Sequence, residues 1–252
     1  MINSIRNFIS KYPRLADPLV KLKLYIKFPH RLITEIKIFI RKSKAKKLGI
    51  AFFRPNFIYF DKFDSSSIII DVGCGFEADL SRHLISKYGL TSYGVDPTLK
   101  HAKFLRELEE ETECQFKYFP FALTKNNGKI IFHETIEHES GSIFIDHKNI
   151  LVDEIRTYEV ESLSLKGLIT KIGVETVDYI KLDLEGSEYE LLANVSQYEL
   201  KVFKQIFVEF HHHAIKHYSI NNTRKIVKYI CSKGFQSYSF DDNNYLFLNM
   251  NI

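Results

Sequence analysis

The sequence of 252 residues is 45% hydrophobic and 26% charged, which is typical of a soluble globular protein. No apolar run reaches the ~18 residues that a membrane-spanning helix needs, and charges and prolines interrupt segment 1–18 before a signal-type apolar core can form. The three cysteines, Cys74, Cys114 and Cys231, form no CxxC pair. The sequence therefore indicates neither a disulfide framework nor a cysteine zinc site, and it favours a reducing cytoplasm.

Charge is distributed unevenly along the chain. Residues 1–50 contain 13 Lys and Arg and two acidic residues, whereas the other 202 residues contain 22 basic and 29 acidic residues. Within the basic part, apolar residues recur at helical spacing between lysines and arginines: Leu32, Ile36, Phe39 and Ile40. We therefore predict a basic, partly amphipathic helical extension over 1–50 and one further domain over 51–252.

The predicted extension has three possible binding partners. It can pack on the acidic domain, bind an anionic membrane surface, or bind nucleic acid. Apolar and basic faces coexist on it, which favours the membrane over nucleic acid.

From residue 64 the sequence alternates between predicted strands and helices. Strands are predicted at SSSIIIDV, TSYGVD and QFKYFPFAL, with helices at ADLSRHLISKYG and TLKHAKFLRELEEE. A β-rich excursion follows at about 125–162. Alternation then resumes with VDYIKLDL, SEYELLANV, VFKQIFVEF and TRKIVKYICSKG, and the chain ends in a hairpin of FQSYSF and YLFLNM. This order predicts an α/β fold with a doubly wound, mostly parallel seven-stranded sheet ending in an antiparallel hairpin.

The first predicted strand ends in a glycine-rich turn that contains Asp71, Gly73 and Gly75, directly before a helix. Such a turn lets a ligand approach the backbone at a helix N-terminus, but the same spacing also satisfies the dinucleotide fingerprint. The Asp71 carboxylate distinguishes a dinucleotide from S-adenosylmethionine as the ligand. It would repel a pyrophosphate and attract the ammonium and sulfonium of S-adenosylmethionine. We therefore predict that these three residues bind S-adenosylmethionine, with NAD as the alternative.

Asp96 ends the second predicted strand, 25 residues after Asp71. In nucleoside-binding α/β folds an acidic residue at this place accepts hydrogen bonds from the ribose hydroxyls. An aspartate directly before Pro97 also fits the N-cap of the following helix. The two roles are compatible, and we predict that Asp96 binds the ribose.

Five segments together resemble the FkbM-type S-adenosylmethionine-dependent methyltransferases: DVGCG, GVDP, FAL, VDYIKLDLEGSEYELLANV and FVEFHHH. The resemblance covers roughly residues 66–250. Its most specific part is the D-x-E-G-x-E block, which consists of Asp183, Glu185, Gly186 and Glu188.

The resemblance carries several expectations. It implies the Rossmann-like class I methyltransferase fold, S-adenosyl-L-methionine as cofactor, and a loop near the adenine at Phe121 and Ala122. It also implies O-methylation of a hydroxyl, commonly on a sugar or polyketide. The chain departs from the pattern at Glu77, which occupies the position of the usual third glycine of the turn.

Four polar residues follow the fourth and fifth predicted strands: Asp183, Glu185, Glu209 and His211. Strand alternation directs Glu209 and His211 toward the crevice that Asp183 enters. Methyl transfer to an alcohol requires that the oxygen be held in line with the methyl group and that its proton be removed. We predict these four residues to be catalytic, with histidine as the proton acceptor. Ligation of a divalent metal by Glu209 and His211 with Asp183 stays open, as does purely structural hydrogen bonding, and no dedicated metal site is predicted.

The leading functional prediction is a cytoplasmic O-methyltransferase, peripheral on the inner face of the membrane. Its acceptor is expected to be a hydroxyl of a sugar, glycan or glycolipid precursor. An RNA methyltransferase that uses the basic extension is the first alternative. Two features disfavour it: the fourth strand ends DLEG and not in the N/D-P-P-Y motif of nucleic-acid enzymes that methylate amino groups, and the domain is acidic. A non-catalytic nucleoside-binding scaffold is the second alternative.

Overall fold

The computed structural model describes residues 29–54, 56–193 and 195–251. Its contacts divide the chain into two units, Met1–Lys47 and Leu48–Ile252. In the first unit the described part is helix α1 (Pro29–Lys47), and residues 1–28 of the predicted extension lie outside the described residues. The last turn of α1 is rich in lysine, where cations interact favourably with the negative end of the helix dipole. Among the described helices, none combines the length and the apolar character that crossing a membrane would require.

The second unit contains both strands and helices. Its strands are β1 (Ile50–Phe53), β2 (Phe57–Phe60), β3 (Ile68–Val72), β4 (Thr91–Val95), β5 (Phe116–Phe119), β6 (Ala122–Leu123), β7 (Gly128–Thr135), β8 (Gly141–Ser142), β9 (Ile155–Leu163), β10 (Tyr179–Asp183), β11 (Gln205–Glu209), β12 (Phe235–Ser239) and β13 (Asn244–Asn249). Its helices are α2 (Asp79–Tyr88), α3 (Ala102–Glu111), α4 (Leu165–Ile172), α5 (Glu188–Leu192), α6 (Gln197–Leu200) and α7 (Ile220–Ser232).

Seven of these strands form one sheet, in the order β12-β13-β11-β10-β3-β4-β5. Strands β11, β10, β3, β4 and β5 are parallel, and β13 runs antiparallel to both β11 and β12. The central strands β3 and β10 are mostly apolar because both faces of a parallel sheet are covered; Ile69, Ile70, Ile180 and Leu182 are all buried. The exceptions, Asp71, Lys181 and Asp183, lie at or beyond the middle of these strands. The predicted mostly parallel sheet with a terminal antiparallel hairpin is confirmed.

The carboxyl ends of four neighbouring strands meet at one edge of this sheet. Val72 pairs with Val95 on one side and with Leu182 on the other, and Asp183 pairs with Glu209. The turns that follow β3, β4, β10 and β11 therefore gather at this edge, which is where open α/β sheets bind ligands.

The β-rich excursion forms a second sheet in the order β6-β9-β7-β8. Strand β6 belongs to it, so the prediction of one continuous strand over QFKYFPFAL is wrong. Strand β5 ends at Phe119, and Pro120, which has no N–H for a ladder bond, follows at the turn. The backbone N–H of Phe121 donates to the carbonyl of Phe119 across this turn, at 3.0 Å.

Further elements differ from the sequence prediction. Helix α3 begins only at Ala102, four residues after the start of the predicted segment TLKHAKFLRELEEE, and Leu99 is exposed. Helix α4 was not predicted; it begins where the hydroxyl of Ser164 accepts a hydrogen bond from the backbone N–H of Gly167. The antiparallel pair β1 and β2 was also not predicted, because its short aromatic runs show no clear alternation.

Candidate functional site

A cavity of about 380 Å³ opens at the carboxyl ends of β3, β4 and β10. This is within the usual size range of small-molecule sites, about 300–1,000 Å³. Its lining includes all six residues predicted to bind the cofactor: Asp71, Gly73, Gly75, Asp96, Phe121 and Ala122. Of the four predicted catalytic residues, Asp183 and Glu185 also line it, whereas Glu209 and His211 lie outside the lining.

The two glycines of the turn have different physical roles. Both have positive φ, +70° at Gly73 and +67° at Gly75, which disfavours any other residue. A Cβ atom on Gly73 would lie 2.0 Å from the carbonyl oxygen of Asp183, so this glycine allows β3 and β10 to end side by side. A Cβ atom on Gly75 would meet nothing within 4 Å. The open space beside Gly75 is thus available to a ligand.

The departure at Glu77 is accommodated by its neighbour. Glu77 itself does not have a positive φ; the left-handed residue is Ala78, with φ of 45°, directly before α2. Ala78 is completely buried. The turn therefore keeps a left-handed residue without a third glycine.

Asp71 lies below the turn and is buried. Its Oδ2 accepts a hydrogen bond from the hydroxyl of Ser81 at 2.8 Å, and its Oδ1 lies 3.4 Å from the ammonium of Lys181. Lys181 therefore compensates the Asp71 charge, which the sequence argument treated as free to attract a cation. The same ammonium donates to the carbonyl of Gly73 at 2.7 Å and lies 3.2 Å from Asp183 Oδ2.

Asp96 organises the neighbouring turn. Its Oδ2 accepts from the N–H of Gly75 at 3.0 Å, and its Oδ1 accepts from the N–H of Thr98 at 2.9 Å and lies 3.3 Å from His101 Nδ1. Burial would raise the pKa of Asp96, but the contacts with His101 and Thr98 hold it below its ordinary value. The carboxylate is therefore charged, fixed in position and at the wall of the cavity, as ribose binding requires.

His211 is held by a buried carboxylate. Glu188, completely buried in α5, lies 2.6 Å from His211 Nδ1 through its Oε1, which also accepts from the backbone N–H of His211 at 2.9 Å. The other oxygen of Glu188 accepts from the N–H of Gly186 at 2.9 Å. This arrangement directs His211 Nε2 away from Glu188 and toward the end of the cavity.

Two cavity carboxylates face that nitrogen. His211 Nε2 lies 3.6 Å from Asp183 Oδ1 and 3.4 Å from Glu185 Oε2. His147, from the excursion, lies 2.8 Å from the same Glu185 oxygen through its Nε2. The backbone N–H of Asn149 donates to His147 Nδ1, so the proton of a neutral His147 is on Nε2 and points at Glu185.

These groups perturb one another strongly. Burial opposes the charge of His211, but three neighbouring carboxylates raise its pKa well above the ordinary value. Burial raises the pKa of Asp183, and burial together with Asp183 raises the pKa of Glu209 to about 7. Burial would also raise the pKa of Glu185, but contacts with His147 and His211 hold it below the ordinary value. This environment favours the protonated form of His211, whereas the predicted proton acceptor is a neutral histidine.

We refer to Asp183, Glu185, Glu188, Glu209 and His211 as the carboxylate–histidine cluster. Four of them were predicted from the sequence as catalytic residues, whereas the roles of Glu188, Lys181 and His147 were not predicted. Glu188 could have been found, since it is the last residue of the D-x-E-G-x-E block. Lys181 is a charged residue inside an otherwise apolar strand, which is also a recognisable signal. His147 carries no local signal, because only the path of the excursion brings it to Glu185.

The cavity fits the predicted cofactor. It offers open space beside Gly75, the fixed Asp96 carboxylate, and the buried aromatic ring of Phe121. His101, also in the lining, has a buried Nε2 without a hydrogen-bond partner among the described residues. A polar ligand would supply what this nitrogen lacks.

Comparison with solved structures returns several methyltransferases. The chain is 14% identical to the Methanococcus jannaschii fibrillarin pre-rRNA processing protein (73% of this chain, 66% of that chain, TM-score 0.42). It is 13% identical to M. capricolum TrmK in complex with S-adenosyl-homocysteine (75% and 64%, TM-score 0.36). It is also 13% identical to Haemonchus contortus phosphoethanolamine N-methyltransferase 2 in complex with S-adenosyl-L-methionine (70% and 34%, TM-score 0.36). The chain spans about two thirds or less of the length of each of these proteins.

A family model decides the assignment. No curated protein matches the chain. The model of the methyltransferase FkbM domain matches residues 76–237, which is more than half of the sequence and includes the turn after Gly75, Asp96 and the carboxylate–histidine cluster. The chain therefore belongs to the FkbM methyltransferase family, and its cofactor is S-adenosyl-L-methionine.

Proposed function

We propose that the protein transfers a methyl group to a hydroxyl oxygen of a sugar, glycan or glycolipid precursor. One observation carries the proposal: Asp183 and Glu185 line the cofactor cavity and at the same time face His211 Nε2. A hydroxyl placed between these groups has acceptors for its proton and lies at the end of the cavity. The choice of a sugar-type acceptor rests on the sequence resemblance.

The residues of the cavity would divide the work as follows. Bound S-adenosyl-L-methionine supplies a methyl group on a positively charged sulfur. Asp96 and the turn at Gly75 hold the nucleoside, and the cluster holds the acceptor hydroxyl. When the acceptor oxygen takes the methyl group, a carboxylate of the cluster would accept the hydroxyl proton, and the electron pair of the broken carbon–sulfur bond would stay on the sulfur of the cofactor.

The charge of the cluster supports a neutral acceptor over a phosphodiester. It contains four carboxylates, and Lys181 is the one lysine in contact with any of them among the described residues. Without a bound cation, this excess of negative charge would repel phosphate groups and suit hydroxyl donors.

The acceptor class can be tested directly. The full-length protein would be incubated with methyl-labelled S-adenosyl-L-methionine and with separate cell fractions of glycans, glycolipids and RNA. We expect label in glycans or glycolipids, in a bond that resists mild base as an ether does. Label confined to RNA would replace the proposal with the nucleic-acid alternative.

Removing the Asp96 carboxylate should weaken cofactor binding. We expect Asp96→Ala to lower the affinity for S-adenosyl-L-methionine about ten- to hundredfold, because hydrogen bonds to a charged acceptor contribute about 1.5–3 kcal/mol each. Isothermal titration calorimetry on a variant shown to be folded by circular dichroism measures this. Unchanged affinity would remove the ribose assignment.

We further propose that residues 1–50 bind an anionic membrane surface. Helix α1 provides the support, since Ile36, Phe39 and Ile40 recur at helical spacing among lysines and arginines. Each basic residue near an anionic surface contributes about 1 kcal/mol, and salt weakens the attraction.

Liposome co-sedimentation tests this role. The full-length protein should sediment with vesicles containing phosphatidylserine at low salt, and a protein that begins at Gly49 should stay in solution. Equal sedimentation of the two proteins would show that the extension has no membrane role, and preferential capture of the full-length protein by competing RNA would favour nucleic acid.

A further inference from the structure

Three side-chain atoms of the carboxylate–histidine cluster converge on one point. They are Nε2 of His211 and one carboxylate oxygen each of Asp183 and Glu185, and all three lie within 4.8 Å of one another. The nitrogen lies 3.6 Å from the Asp183 oxygen and 3.4 Å from the Glu185 oxygen. In an octahedral site with bonds of about 2.1 Å, adjacent ligand atoms are about 3 Å apart. The observed separations are slightly wider, so small side-chain rotations bring the three atoms onto one ion.

Each of the three side chains is oriented by a second group. The supporting pairs are Glu188 with His211 (2.6 Å to Nδ1), Lys181 with Asp183 (3.2 Å to Oδ2) and His147 with Glu185 (2.8 Å to Oε2). A metal-binding histidine typically donates its other ring N–H to a carboxylate, and metal-binding carboxylates are themselves held by hydrogen bonds. The pairs therefore supply the outer shell that a metal site requires.

The hydrogen bonding at this point is incomplete without a ligand. The His211 side chain is 6% exposed, and its Nε2 makes no hydrogen bond to any described residue. His147 Nε2 is also buried without a completed hydrogen bond in the described part of the chain. Of these two nitrogens, His211 Nε2 faces a carboxylate oxygen of both Asp183 and Glu185, and a cation bound between the three atoms would complete its coordination.

We propose that Asp183, Glu185 and His211 bind one divalent cation of the Mn²⁺ or Mg²⁺ type. Two carboxylate oxygens and one imidazole nitrogen suit such an ion, and three protein ligands leave about three octahedral positions open. Two neighbouring hydroxyl oxygens of an acceptor can occupy open positions together. The substrate class is then a vicinal diol, as sugars present; this second part rests on the proposed O-methylation.

Metal binding can be measured without cofactor or acceptor. Full-length protein, stripped with a chelator and dialysed, would be titrated with Mn²⁺ while free Mn²⁺ is followed by electron paramagnetic resonance. We expect one ion per chain, at least tenfold weaker binding in Asp183→Asn and in His211→Ala, and weaker binding also in Glu188→Gln, whose side chain orients His211. Glu161→Gln and His138→Ala alter exposed residues of the same types and should bind as the wild type does. Absence of binding at millimolar Mn²⁺, or equal binding by all variants, would overturn the proposal.

Turnover separates this proposal from the proposed function. Loss of methyl transfer after chelation and its recovery with Mn²⁺ would support the cation site. Transfer to a hydroxyl that is unaffected by chelation would overturn the cation site and leave the O-methylation intact. Mn²⁺ binding at the predicted residues, combined with transfer only to a non-hydroxyl acceptor, would support the site and overturn the proposed reaction.

Discussion

His211→Ala should lower kcat for methyl transfer by about 10²- to 10³-fold, which is the usual effect of removing one positioned polar group beside a reacting oxygen. The imidazole is fixed by Glu188 and lies outside the lining of the cofactor cavity. Affinity for S-adenosyl-L-methionine should therefore change much less than kcat. Asp183→Asn should also lower kcat more than cofactor affinity, but because Asp183 lines the cavity and contacts Lys181, its effect on cofactor affinity should exceed that of His211→Ala.

Initial rates with the acceptor found by fractionation, together with calorimetry for the cofactor, check this expectation. His138→Ala is the matched control, because it removes an exposed imidazole of the excursion. If both His211→Ala and Asp183→Asn turned over at the wild-type rate, the assignment of the acceptor end of the site would fail.

Gly73→Ala should destabilise the fold far more than Gly75→Ala. Both substitutions place a Cβ atom at positive φ, which costs about 1–2 kcal/mol. At Gly73 the new atom would also lie 2.0 Å from the Asp183 carbonyl oxygen, so the ends of β3 and β10 must separate. We expect about 3 kcal/mol or more in total at Gly73, against about 1–2 kcal/mol at Gly75.

Thermal unfolding followed by circular dichroism measures the difference. At about 2–4 °C per kcal/mol for a domain of this size, the Gly73 variant should melt at least about 2 °C below the Gly75 variant. Cofactor affinity should fall because of Gly75→Ala even though that variant is the more stable of the two, since its new methyl group enters the space available to the ligand. Equal melting temperatures would contradict the close approach of the two strands.

The sheet could be predicted because its signals are local. IIIDV, YGV and YIKLD are short apolar runs that end in turns, and the helix periods between them dictate a parallel order. The excursion was harder to predict. Proline at 120 ends one strand and Ala122 joins the other sheet, and the sequence alone does not distinguish this from one continuous strand.

The carboxylate–histidine cluster was predicted in part for the same reason. Asp183 and Glu209 follow adjacent parallel strands, so strand register alone places them side by side. His147 reaches the site from a distant loop, and no spacing in the sequence encodes that contact. The cofactor predicted from the charge of Asp71 is correct, although Lys181 compensates that charge in the folded protein.

Lys181 touches both halves of the site. Its single ammonium lies between Asp71 and the Gly73 carbonyl on the cofactor side and Asp183 on the acceptor side. A ligand that changes the charge at Asp183 should therefore change how strongly the Lys181 ammonium interacts with the carbonyl of Gly73 in the glycine turn. Binding of the cofactor and binding of the acceptor should therefore be coupled. Each ligand should change the affinity of the protein for the other by the same factor.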